Sequence, residues 1–108
     1  MAKYLLIASR DPFETNEAVH CYELARELRR DGNEVTVFLV QNGVFPARDC
    51  IHSTRLTDLA QAGVEVLADK FSLQERGIAP AGLVPGVTPS ALEIVIDHLA
   101  DGFKTVWH

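Results

Sequence analysis

Three stretches of the chain are apolar with hardly a polar interruption: Tyr4-Leu5-Leu6-Ile7-Ala8, Val35 to Val40, and Val64-Glu65-Val66-Leu67-Ala68. Continuous apolarity over five or six residues, rather than strict alternation, predicts strands covered on both faces, as in parallel sheets. Thr105-Val106-Trp107 predicts a fourth strand. Leu83 to Val87 offers a short fifth, which Pro85 confines to an edge or a turn.

Helical spacing fills the gaps between these runs. Asp11-Pro12-Phe13-Glu14 has the cap, proline and acidic residue of a helix start, and Gly32 marks the end near Arg30. Ala18, Cys21, Ala25 and Leu28 form its apolar stripe. Ser53 to Ala62 predicts a second helix, with Leu56, Leu59 and Ala60 turned inward. Ser72-Leu73-Gln74-Glu75 reads as a capping box for a short third helix stopping at Gly77. The last helix is expected from Thr88-Pro89 to about Asp101, with Leu92, Val95, Ile96 and Leu99 buried.

Strands alternating with helices give an α/β fold: one domain over residues 1–108, three layers α/β/α, around a mostly parallel sheet of four to five strands. Ligands of such sheets bind outside the carboxyl ends of the strands. That rule selects Ser9 to Asp11, Gln41 to His52 and Asp69 to Ser72 before any chemistry is considered. Gln41 to His52 is the one long connection, and long connections in small domains tend to be functional.

Charge and composition narrow the function. With 10 basic and 15 acidic side chains the net charge is −5, and neither half of the chain reverses it. This is no footprint for nucleic acid or an anionic membrane. No apolar run approaches the length of a membrane span or a signal peptide, so a cytoplasmic protein is expected. Two cysteines, Cys21 and Cys50, make neither a disulfide framework nor a zinc cluster, and fit a reducing compartment.

The first turn, Ser9-Arg10-Asp11-Pro12, has no glycine to bring backbone close to phosphate, which excludes the dinucleotide and P-loop motifs. No G-x-S-x-G elbow exists, and Ser9, Ser53, Ser72 and Ser90 sit where helix caps are needed. The histidines His20, His52, His98 and His108 lack metal-ligand spacing, so no metal or other cofactor is expected. Cys21 falls on a buried stripe, where a thiol behaves as a small hydrophobe. Cys50 lies in the long loop at the expected functional edge, two residues before His52, and is the candidate reactive thiol. Asp69 ends the third strand beside Lys70, either as a helix cap or as a carboxylate at the mouth of the sheet. Ser9, Asp11 and Lys70 are the candidate ligand-binding residues around it.

In order along the chain, KYLLIAS, ELARELRRDGNEVTVFLV, QNGV, AGVEVLADKFSLQERGI, LVPGV and the terminal KTVWH resemble the DsrE/DsrF-like family of small sulfur-relay proteins. The resemblance covers about Lys3 to Trp107. It implies a homo-oligomer, a trimer or hexamer, or assembly with a sulfur-relay partner. It also implies a possible sulfurtransferase. Members with that activity carry a cysteine just after the third strand, eight residues before a glycine. Here that position is Asp69, ahead of Gly77, and no cysteine occurs from Ile51 onward. A carboxylate cannot carry a persulfide.

The resemblance therefore implies an accessory or partner subunit, or a small-ligand binder, with sulfur carriage through Cys50 as the alternative. A remoter reading is a receiver-like phosphoacceptor at Asp69. Receivers want an acidic pair after the first strand and a lysine at the end of the last, where this chain has Ser9-Arg10-Asp11 and Trp107-His108. The apolar stretches Val44-Phe45-Pro46 and Ile78 to Val87 are the candidate subunit interfaces.

Overall fold

The first apolar run forms strand β1 (Lys3–Ala8), and the computed structural model describes residues 2–48, 50 and 53–107. After it come α1 (Glu17–Arg30), β2 (Glu34–Leu39), a 3-10 helix (Gln41–Ala47), α2 (Ser53–Gln61) and β3 (Glu65–Asp69). The chain continues through α3 (Lys70–Glu75), a short 3-10 turn (Pro80–Gly82), β4 (Val87–Ser90), α4 (Glu93–Ala100) and β5 (Lys104–Trp107). The strands lie in the order β4-β3-β2-β1-β5, and every pairing is parallel. The α/β architecture expected from the sequence is thus present.

Alternation along the strands divides the core in two. Leu6, Ala8, Val35, Val37, Leu39, Val66 and Ala68 face α1 and α2 and meet Ala18, Cys21, Ala25, Leu56 and Leu59. Leu5, Ile7, Phe38, Val40 and Leu67 face the other way, where Phe103 and the half-buried Ile94 and Val95 of α4 cover them.

Three expectations are corrected. First, α1 begins at Glu17, not at Asp11-Pro12. The Asp11 Oδ1 accepts from the Phe13 N–H and its carbonyl from those of Glu14 and Thr15, which closes a turn instead of opening a helix. Second, the Thr88-Pro89 pair lies in β4, not in a helix, and Pro85 precedes that strand. Pro89 is tolerated because β4 is an edge strand.

Third, the outward stripe of α4 is Leu92, Ile96 and Leu99, 52–67% exposed, while His98 turns inward with Ile94 and Val95. The apolar residues spread over more than one face of the helix, with Glu93 and Asp97 on the remaining side, so period alone does not choose which apolar side is buried. The stretches named as candidate interfaces are divided. Val44, Pro46, Ile78 and Val87 are buried and Leu83 and Val84 pack against the core, while residues 79–82, Pro85 and Gly86 are exposed.

The 3-10 helix after β2 sits hard on the end of β1. A Cβ on Gly43 would collide with the Ala8 carbonyl, so only glycine permits this approach. His52, paired in the sequence with Cys50, lies outside the described residues, as does His108.

Candidate functional site

Glu65, Leu67 and Asp69 alternate onto the α4 face of β3. Asp69 is the last residue of the strand, in extended conformation, and also the N-cap of α3. Its Oδ2 accepts from the Ser72 N–H at 3.1 Å and from the Ser72 hydroxyl at 2.8 Å. The Ser72 oxygen in turn accepts from the Gln41 N–H at 2.8 Å. The cap of this helix is therefore Asp69, not Ser72, which sits inside the first turn and answers it. Gln41 is held at φ 53°, the one non-glycine among the described residues in the left-handed region. Such strain persists only where neighbours fix it, and it often marks a ligand site.

Asp69 is only 7% exposed, yet it borders two recesses. One, of about 300 Å³, has a floor of Ile7, Phe38 and Val40. Its walls are Trp107 of β5, Leu92 and Val95 of α4, and Phe71 and Glu75 of α3. The other runs round Phe71 past Lys70, Gln74 and Glu93. A larger recess, about 440 Å³, follows the far side of α3, where Lys70 and Gln74 are its only polar side chains. Size alone does not choose it, because it gathers neither a carboxylate nor a thiol. The crevice at Asp69 opens at the carboxyl ends of β3, β2, β1 and β5 and so spans the point where the strand order turns, β2 lying on one side of β1 and β5 on the other, the place open α/β sheets reserve for ligands.

The other candidates gather on the α1 side of the same sheet edge. Asp11 is buried and holds its own turn. Cys50 is half-buried, its Sγ 3.9 Å from the Pro46 carbonyl, and its backbone exchanges hydrogen bonds with the Ser53 hydroxyl. Between them stands the Tyr22 hydroxyl, buried and without a hydrogen-bond partner among the described residues. Burial raises the phenol pKa, Cys21, Asp11 and Cys50 add to the shift, and Arg55 opposes it. Burial likewise pushes the Cys21 thiol up to about 12, which leaves it inert. Neither Cys50 nor Asp11 lines the recesses at Asp69, whereas Lys70 borders the one beyond Phe71. Ser9 follows β1 at the same edge and lines neither recess. Among the described residues, no group of three His, Cys, Asp or Glu side chains stands close enough to hold a metal ion.

Sequence reasoning missed a third cluster, at the opposite edge of the sheet. The Thr36 hydroxyl donates to Glu65 Oε1 at 3.0 Å. With that proton spent, the Thr36 oxygen accepts from His98 Nε2, 3.2 Å away, which assigns the Nε2–H tautomer. His98 stacks on Phe103 at 4.3 Å, and the Lys3 ammonium lies over that ring. The cluster ties α4 to β2 and β3. Its members lie 29 and 62 positions apart, beyond any local pattern. Thr36 interrupting an apolar strand was the only hint.

The sequence profile of the DsrE/DsrF-like family matches residues 2–107. The chain belongs to the DsrE/DsrF-like family. Its fold is also that of the YchN protein from E. coli, with a TM-score of 0.89, 20% identity and full coverage of both chains. MTH1491 from Methanobacterium thermoautotrophicum, a protein of unknown function, superimposes with a TM-score of 0.86 at 19% identity, again over both whole chains. BT1422 from Bacteroides thetaiotaomicron, a conserved protein of unknown function, reaches 0.78 at 19% identity, over 98% of this chain and 95% of that one. No curated protein matches the sequence. No helix among the described residues is long and apolar enough to cross a membrane.

Proposed function

We propose that this DsrE/DsrF-like protein is a binding subunit of a sulfur-relay-type system, one that holds a small molecule in the Asp69 crevice and carries no persulfide there. The observation that supports this is Asp69 itself. Where the family's sulfur-transferring members place a thiol, this chain has a carboxylate locked by Ser72 at the mouth of an apolar crevice. The working form is an oligomer, a trimer or hexamer of this chain or an assembly with a relay partner. The exposed Leu92, Ile96 and Leu99 stripe supports that arrangement, because contiguous exposed apolar area favours contact. A cytoplasmic setting suits the two free thiols.

A second reading, sulfur carriage by Cys50, draws on the partial exposure of that thiol. Its thiolate would attack the outer sulfur of a donor persulfide, forming a new S–S bond and releasing the donor thiolate. Phosphoryl transfer to Asp69 draws no support, since Asp11, the acidic residue after β1, lines neither recess at Asp69.

Intact-mass spectrometry after exposure to a low-molecular-weight persulfide separates these readings. The binding-subunit reading expects no stoichiometric gain of 32 Da, about one sulfur atom, on either cysteine. A full gain at Cys50 would replace it by sulfur carriage. Sedimentation at micromolar concentration expects a species several times the 11.9 kDa protomer, converted to protomer by Ile96→Asp.

A further inference from the structure

The composition of the Asp69 crevice says more than that it is a cavity. It is largely aromatic and aliphatic, with Phe38 in the floor and Phe71 and Trp107 in the walls. Among the described residues its only charged side chains are two carboxylates, Asp69 and Glu75. Glu75 is partly answered by Arg76 at 3.9 Å. Asp69 is answered by no cation: among the described residues it makes no ion pair, and both of its hydrogen bonds go to Oδ2. Lys70, next in sequence, borders the recess on the other side of Phe71.

An anion in this space would meet two carboxylates and no guanidinium or ammonium. A wholly apolar guest would cover the remaining Asp69 oxygen without giving it a partner, a cost set against everything its contacts return. A guest with a cationic head avoids both penalties. Its N–H groups meet the carboxylate in charge-assisted hydrogen bonds, and the aromatic walls attract the same charge. The volume, about 300 Å³, lies at the lower end of small-molecule sites and limits the guest to one ring or a short chain.

We infer that the crevice between Asp69, Phe71 and Trp107 binds a small organic amine: a protonated amino group against Asp69 and an apolar body against the aromatic walls. The inference rests on the reading of the crevice as a small-molecule site and names the class of its ligand.

The chain's single tryptophan, Trp107, lines the crevice and reports occupancy by its emission. Titration of the full protein with 2-phenylethylamine, 2-phenylethanol and 3-phenylpropanoate compares cation, neutral and anion on one ring. The amine is expected to shift the emission saturably and to bind about tenfold tighter than the alcohol, with the acid weaker still. Asp69→Asn should remove about that tenfold advantage. It should leave α3 capped, because asparagine caps as well as aspartate, and circular dichroism checks the fold.

Phe71→Ala, at a 65% exposed side chain, should weaken amine and alcohol alike without unfolding the protein. Equal binding of amine and alcohol, or an unchanged Asp69→Asn, overturns the amine while leaving a small-molecule crevice. If none of the three ligands moves the emission, the inference and the reading beneath it both fall. A second copy of the chain seated on Trp107 would then be seen as concentration-dependent emission.

Discussion

The two faces of the sheet are built to different standards. On one, α1 and α2 lie over β1, β2 and β3, and Leu6, Val37, Leu39 and Leu56 have no measurable contact with solvent. On the other, the eight residues of α4 lie with Phe103 over Leu5, Ile7, Phe38, Val40 and Leu67 of the three central strands. There Leu92, Ile96 and Leu99 point outward, and Trp107 and Phe71 stand largely exposed. The closed face is mostly complementary packing, with Cys50 and the unpartnered Tyr22 hydroxyl at its rim. The half-open face carries the Asp69 carboxylate, the strained Gln41, the aromatic crevice and the apolar stripe. The tightest packing and the proposed site thus fall on opposite sides of one sheet.

The sharpest way to break this contrast is to make one substitution on each side. Leu56→Ala, on the closed face, should cost about 2–5 kcal/mol, the range for emptying a tight core site. Leu99→Ala, on the outer side of α4, should cost under about 0.5 kcal/mol in dilute protomer, as exposed substitutions do. Urea denaturation gives both numbers, and equal losses would mean that α4 is packed as tightly as α2.

A smaller effect tests what holds the half-open side together. His98→Ala removes the donor to Thr36 and should cost about 1–3 kcal/mol. Amide exchange should accelerate in α4 and not in α1. Exchange rising equally in both helices would show that the two faces open as one unit.

The smallest effect belongs to the closed face and to alkaline solution. The Cys21 thiol rises from 9.0 to about 12 on folding. Its burial therefore costs nothing below pH 9, and stability is lost as pH rises from 9 toward 12, where only the unfolded chain gives up the proton. At pH 10 the loss is about 1 kcal/mol, measured as a drop in the urea midpoint that Cys21→Ala should reduce. A midpoint flat from pH 8 to 10 would show that this helix face admits water.

The sequence declared the closed face and blurred the open one, for physical reasons. Buried strands with helices on both sides leave uninterrupted apolar runs, so β1, β2 and β3 were legible to within a residue or two. The α1 stripe was legible because charged neighbours frame it. In α4 the apolar Leu92, Ile94, Val95, Ile96 and Leu99 spread well beyond one face, opposite Glu93 and Asp97, and period alone does not choose which apolar side is buried. The strand Val87–Ser90 was hidden by Pro89, which local rules place at a helix start and only an edge position excuses. Asp69 was visible as a candidate at the sheet edge. Gln41 and Phe71 fell inside stretches selected at that edge without being singled out, and Trp107 fell outside them, because a crevice is defined by strand order. That order sends β5 to the far side of β1, and no spacing in the chain encodes it.

That placement of β5 has a kinetic meaning. Tyr4 pairs with Lys104 and Ile7 with Trp107, so each contact closes a loop of 100 positions. The β1, β2 and β3 pairings close loops of about thirty. Entropy grows only slowly with loop length, but the longest closure is rewarded only after its scaffold exists. On that ground the unit from β1 to β4 is expected to assemble before β5 docks, so the crevice wall that Trp107 provides is expected to form late.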